Sequence, residues 1–277
     1  MTGGMVTDLA RRNQARLCGK LGVEHILVSA DINKKRNHIR ENVNAWLKKP
    51  ELGMVPLFMA GDKHYFYYAN KLRKQTGARL IAMSMNPFEK TDFKYGFSQI
   101  KPTRFDEKIP SVAFQNSFNK LNLFFYYGKQ FLSNPAYLNT SLFDTFTAYI
   151  SYYFIPHNYL FLYNYIKWDE KEIEETLIRE YDWETAADTK STWRIGDGTA
   201  SFYNYIYYTV AGFSENDTFR SNQIREGLLD RTSALEIVKR DNAPRFDSIK
   251  WYCDTIGISF AETLKRINSI PKLYLKK

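Results

Sequence analysis

The residues best suited to chemistry stand close together in the second half of the chain: Lys190, Arg194, Gly196, Asp197, Gly198 and Thr199. Two cations beside a glycine turn that leads into a helix-forming run combine side-chain charge with backbone N–H groups, a pairing that suits a phosphate or a carboxylate. Asp197 could orient Arg194 or accept a hydrogen bond from an incoming amine. The same residues also read as a tight turn, in which the glycines supply the bend and Asp197 caps the helix behind it, and residue types alone favour the turn. Arg220 and Arg225, within FRSNQIREG, are further candidates to contact an anionic ligand, or else partners in ion pairs along a helix.

Other chemistries have less to stand on. His25 falls in a predicted strand, His38 in a charged helix, His64 at a helix start and His157 after a proline. None has the spacing of a metal site, and neither a GxSxG elbow nor a Cys and His pair suggests a nucleophile. Cys18 and Cys253 are far apart and lack ligand spacing, so both are expected as buried free thiols. The net charge of +9 favours anionic partners. The basic residues are dispersed, with clusters no longer than Lys34, Lys35 and Arg36 and no nucleic-acid-binding pattern, so a small phosphorylated ligand is expected ahead of a specific nucleic acid.

The elements that must position these residues begin with a polar helix over Thr7–Leu21 that stops at Gly22. Val23–Ser29 (VEHILVS) reads as a buried parallel strand. Asp31 or Asn33 can cap a helix through about Leu47, and a second helix from Lys63 to Gln75 closes on Gly77 before another apolar run, Arg79–Met85. The order α, β, α, α, β predicts an α/β fold with a parallel sheet, whose ligands lie at the carboxyl ends of the strands. Ser29, Asp31, Ser84, Asn86 and Glu89 stand there, although Glu89 reads more simply as an exposed loop carboxylate. Such a domain ordinarily opens on a strand and a phosphate loop, whereas this chain opens on a helix, so further elements are expected upstream.

Beyond Pro110 the composition turns aromatic and glycine-poor, which predicts long helices and a division into an incomplete α/β domain, 1–110, and a helical region, 111–277. Trp168–Trp183 is a helix with Asp169 as cap, and Thr232–Arg240 and Phe246–Ile256 are amphipathic helices. The densest apolar stretch, Ser141–Trp168, is broken by Asp144, Pro156 and His157, so its aromatics are expected to pack inside the protein rather than span a membrane. Met1 is followed by glycine and polar residues rather than a leader, and a cytoplasmic location is expected.

Four phrases, GMVTDLARRNQARLCGKLGVEHILVSADI, GDKHYFYYANKLRKQTGARLIAMSMN, TLIREYDWETAADTKSTWRIGDGTASFYNYIYYTVAGF and FRSNQIREG, together resemble the N-acetyl sugar amidotransferase branch of the PP-loop ATP pyrophosphatases, along nearly the whole chain. The resemblance implies an adenine-nucleotide α-hydrolase-like sheet and use of ATP with Mg to adenylate a nucleotide-linked, N-acetylated sugar for a bacterial surface polysaccharide such as lipopolysaccharide. Pyrophosphate would leave, and ammonia from separate glutamine amidotransferase subunits would displace AMP. The family's SGGxDS phosphate loop is not present: Thr2, Gly3, Gly4, Met5, Val6 and Thr7 echo it, but no strand precedes them and Asp8 is displaced. The first strand, loop, helix and second strand are therefore expected upstream, and this chain alone is expected to be inactive.

By the same resemblance Gly61, Asp62 and Lys63 open a helix towards the cleft, with Lys63 neutralising phosphate charge unless it is merely a surface lysine. His64 lies beside them, with no role as a base assigned. Asn86 takes the place of a Gly-His-Asn-like turn, where its amide would hold a nucleotide or sugar hydroxyl; its plain reading is a turn residue before Pro87. Lys63, Lys190, Arg194 and Asp197 then become the catalytic candidates, and Asp31, Gly61, Asp62, Asn86, Gly196, Gly198, Thr199, Arg220 and Arg225 the binding ones. The competing reading is a non-catalytic binding or interaction protein derived from this family. A tRNA-modifying relative is less expected, since no CxxC pair occurs.

Overall fold

The computed structural model describes residues 4–89, 93–100, 117–155 and 159–275, and only the backbone of Ala60, Asp62, Ser117 and Tyr153. Thr2, Gly3, His157, the Asp62 side chain and the expected domain boundary near residue 110 lie outside the described residues. The chain forms two compact units, one from Met1–Arg36 and Trp168–Lys277, the other from Asn37–Lys167. The units are thus not two consecutive halves, because the first helix finds its partners near residue 184.

That helix, α1 (Asp8–Leu21), starts where the Thr7 hydroxyl accepts from the Ala10 N–H and stops at Gly22 in the left-handed conformation (φ 64°). Helix α2 (Ile32–Lys48) opens on the expected cap, the Lys34 N–H donating to Asp31 Oδ1 at 3.0 Å. Between them the expectation of a buried strand fails. Residues 23–28 carry no strand, and Val23, Ile26 and Leu27 are exposed. A short β-branched run becomes a strand only when neighbours complete its ladder and cover its faces.

In the second unit, 3-10 turns over Leu52–His64 lead into α3 (Tyr65–Thr76), which closes on Gly77 (φ 71°) as its sequence predicts. Strand β1 (Ala82–Met83), the short helix α4 (Phe93–Gly96), α5 (Ser117–Ser133), α6 (Leu142–Tyr153) and β2 (Leu160–Phe161) follow. The two strands pair in parallel, Ala82 with Leu160 and Met83 with Phe161. Among the described residues the parallel expectation therefore survives only as one short pair in a mainly helical unit. Trp46, Met54, Val55 and Phe58 are buried, with the Trp46 and Phe58 rings edge to face at 5.9 Å. Asn42 joins three segments, donating to the Leu57 carbonyl at 3.3 Å and accepting from the Ser141 hydroxyl at 2.9 Å. The aromatics of α6 do not all pack inside: Phe143, Phe146 and Phe154 are exposed, because the inner face of α6 is taken by Ala148, Ser151 and Tyr152. Among the described residues no helix is long and apolar enough to cross a membrane.

The first unit resumes with α7 (Glu170–Tyr181), capped by Asp169 as expected, then α8 (Ala200–Ala211), α9 (Glu215–Arg225), α10 (Arg231–Asp241), α11 (Phe246–Ile256) and α12 (Phe260–Asn268). Helix α8 is its centre. Phe202, Tyr203, Ile206, Tyr207 and Val210 are buried, and Phe202 stacks on Tyr252 of α11 at 4.5 Å. Cys18 and Cys253 are both free thiols, but only Cys253 is buried as expected; Cys18 is half-buried on α1. Helix α1 is tied in by Asn13, whose amide donates to the Glu184 carbonyl and accepts from the Glu184 N–H, each at 2.9 Å. Hydrogen bonds from Arg12, then Arg16, pull the Glu184 carboxyl from its ordinary 4.5 down to about 2. A depressed folded pKa makes its contribution to stability complete above about pH 4.5 and lost as pH falls towards 2. Thermal melts should accordingly show Glu184→Gln less stable than the parent at neutral pH, with the gap closing between pH 4.5 and 2; a gap that does not change across that range would disprove the pairing.

Candidate functional site

The glycine turn is built by the start of the chain. Val6 forms an antiparallel bridge with Asp197, the Gly198 N–H donates to the Met5 carbonyl at 2.9 Å, and the Thr7 N–H donates to the Gly196 carbonyl at 3.2 Å. Close approach dictates both glycines. A Cβ on Gly196 would stand 2.7 Å from Ala10 Cβ, and one on Gly198 would stand 2.1 Å from the Trp251 ring and 2.6 Å from the Met5 oxygen. The Thr199 N–H donates to Asp197 Oδ1 at 3.0 Å and the Ala200 N–H to the Asp197 carbonyl at 3.1 Å. The N–H groups of Gly198, Thr199 and Ala200 are therefore engaged within the turn and against the N-terminal segment.

Arg194 occupies the left-handed conformation (φ 61°) and reaches two carboxylates, Asp197 Oδ2 at 3.4 Å through Nη1 and Glu215 Oε2 at 3.5 Å through Nε. Glu215 is only 1% exposed and also accepts from the Tyr203 hydroxyl at 2.7 Å, while its own N–H donates to Asn204 Oδ1 at 3.1 Å. Burial first, with Glu215 adding to it and Arg194 opposing, pushes the Tyr203 phenol well up, so it stays a donor. Trp193 lies flat on Phe219 at 4.4 Å.

Beside this network runs a narrow cleft lined by Ser191, Trp193, Arg194, Asn204, Tyr205, Asn242 and Arg245. Its enclosed space of about 40 Å³ holds on the order of three waters, so a larger ligand would lie across its mouth. Arg245 grips Asp188 through Nη2 at 2.7 Å and Nε at 3.1 Å. Burial alone would raise the Asp188 pKa, but hydrogen bonds from Arg245 and Ser248 hold it below the usual carboxylate range.

The remaining sequence candidates separate. Lys190 is exposed on the link before the turn. Arg220 is buried in α9, bonded to Glu170 of α7, to Gln223 at 2.7 Å and to Asp241 of α10 at 3.3 Å, which is the ion-pair alternative. Arg225 donates to Asn222 at 2.7 Å, and Asp31 is the α2 cap. Gly61, Lys63 and Asn86 belong to the other unit. The Gly61 carbonyl faces His64 Nδ1 at 3.0 Å, the Lys63 ammonium sits 4.4 Å over the Tyr152 ring, and Asn86 Oδ1 accepts from the Phe88 N–H at 2.9 Å, closing the turn at Pro87.

Sequence reasoning misses two groupings. Asn204 and Tyr205 of α8 meet Asn242 and Arg245 of the α10–α11 link in one cleft, and only the aromatic run of α8 hints at it. The second joins His38, His64 and Asp144: the histidine Nδ1 atoms lie 3.6 and 4.0 Å from the carboxylate, and His64 Nε2 lies 3.0 Å from Thr147 Oγ1. Because a carbonyl only accepts, His64 Nδ1 carries a proton towards Gly61, while the Thr147 hydroxyl donates back to the Phe143 carbonyl at 3.0 Å. Among the described residues no group of three or more His, Cys, Asp or Glu side chains could hold a metal ion.

No protein-family model, curated protein or solved structure matches the chain. Arg194→Met leaves the Glu215 carboxylate buried without its cation and should cost about 3 kcal/mol in urea unfolding. Adding Glu215→Gln to that variant should recover most of the loss; no recovery would mean that the pair is incidental.

Proposed function

We propose that the chain takes part in ATP-dependent amidation of a nucleotide-linked, N-acetylated sugar for a bacterial surface polysaccharide, with the cleft beside Arg194 receiving the sugar. The observation that carries this reading is the cleft's lining. The Asn204 amide, the Ser191 hydroxyl, the guanidinium of Arg245 and the rings of Trp193 and Tyr205, with Asn242 held at the rim by Ser214, Asn216 and Asp217, combine hydrogen-bonding groups with an aromatic wall, which suits a sugar ring and its acetamido group. The resembling phrase that runs from Thr176 to Phe213 contains Ser191, Trp193, Asn204 and Tyr205.

ATP with Mg, glutamine amidotransferase subunits as ammonia source, a cytoplasmic location and an adenine-nucleotide α-hydrolase-like sheet belong to the same proposal. One parallel strand pair supports the sheet. The Gly196–Thr199 turn does not fit a triphosphate, since its N–H groups at Gly198 and Thr199 already have backbone and side-chain acceptors. No adenylation step is assigned to it. The pairing of Arg194 and Arg220 with carboxylates favours a second reading, a binding protein that recognises the sugar without turning it over.

Thermal melting with UDP-N-acetylglucosamine, and pyrophosphate release with that sugar, MgATP and ammonium, test both. The sugar nucleotide is expected to raise Tm in the parent and not in Tyr205→Ala. Pyrophosphate release supports the amidotransferase, a Tm shift alone supports the binding protein, and no shift with no release rejects the cleft as a sugar site.

A further inference from the structure

Helices α5 and α6 of the second unit turn apolar side chains outward. On α5, Leu121, Phe125 and Leu132 recur four and seven residues apart, with Phe125 62% and Leu132 83% exposed. On α6, Phe143, Phe146 and Ile150 recur three and four residues apart and continue to Phe154, with Phe143 77% exposed. Both spacings lay the side chains along one side of each helix. The helices touch where the Tyr149 hydroxyl donates to the Lys120 carbonyl at 3.2 Å and the Lys120 ammonium lies 5.3 Å from the Phe154 ring.

Charge on these helices has one outward sign. Helix α5 carries Lys120 and Lys129 and no carboxylate, and the one acidic residue of α6, Asp144, faces His38 and His64. We propose that the α5 and α6 face docks on an anionic lipid surface, with the phenylalanines and leucines entering the boundary of the acyl chains and the lysines meeting the headgroups. An interfacial helix pairs cations with Phe and Leu in this way. These side chains also lack polar tips, whereas a protein interface asks for about one hydrogen bond per 100–200 Å². The net charge of +9 draws the whole chain to the same surface. Nothing in the proposal depends on the sugar cleft, which lies in the other unit.

Flotation of the full chain with phosphatidylcholine vesicles, with and without phosphatidylglycerol, tests it. Binding is expected on the phosphatidylglycerol vesicles, weaker on phosphatidylcholine alone, and reduced by salt. Phe143→Ser and Phe146→Ser, with unchanged melting temperature, should each lower the vesicle partition about tenfold. Lys129→Glu should weaken binding to the anionic vesicles and leave binding to phosphatidylcholine unchanged. A chain that stays unbound with phosphatidylglycerol vesicles, or binds them equally well after both Phe substitutions, overturns the proposal. So does a dimer, seen by light scattering, that the Phe substitutions dissolve while vesicles capture nothing, since the face would then belong to a second copy of the chain.

Discussion

A carboxylate that is 1% exposed must be answered by its surroundings, and much of the first unit is arranged around Glu215. Tyr203 supplies a hydroxyl and Arg194 a cation. To bring that cation round, Arg194 takes a left-handed backbone, which a non-glycine residue holds at a cost of order 1 kcal/mol. The chain then turns through Gly196 and Gly198 so tightly that Ala10, Met5 and Trp251 fill the space where side chains would be. The residues that read most readily as an anion site are thus first a solution to a buried charge. Because Arg194 is already balanced by Glu215 and Asp197, what remains beside it is a polar cleft with little uncompensated charge, better matched to hydroxyls and amides than to phosphate.

The same inward use of charge recurs. Arg220 binds α9 to α7 and α10 through Glu170 and Asp241, and Arg245 holds Asp188. In the second unit Asp144 turns towards two histidines. A carboxylate held inward leaves the surface around it to whatever else the helix carries. On α5 and α6 that is phenylalanine, leucine and lysine, so the electrostatics of the interior shape the chemistry of the exterior.

Helix limits were legible wherever the deciding interaction is local. Thr7 and Gly22 bound α1, Asp31 starts α2, Gly77 ends α3 and Asp169 starts α7, because a cap bonds to an N–H two or three residues away and a left-handed stop concerns one residue. The span of α11 follows from the same short-range periodicity. The site was legible in part: Arg194 and the glycine turn were singled out, yet their partners Glu215, Ala10 and Trp251 lie too far along the chain for any spacing rule to connect them.

Residue types and short spacings therefore determined the limits of α1, α2, α7 and α11, that both cysteines stay free and which polar residues cluster near 190–199. Only the tertiary structure decided that Val23, Ile26 and Leu27 are exposed rather than part of a strand, that Asn13 meets Glu184, that Arg220 is an internal ion pair, and which aromatics of α6 face outward. Each of these depends on a partner tens to hundreds of residues away. Burial and ion pairing are properties of neighbours in space, and a linear pattern records only neighbours in sequence.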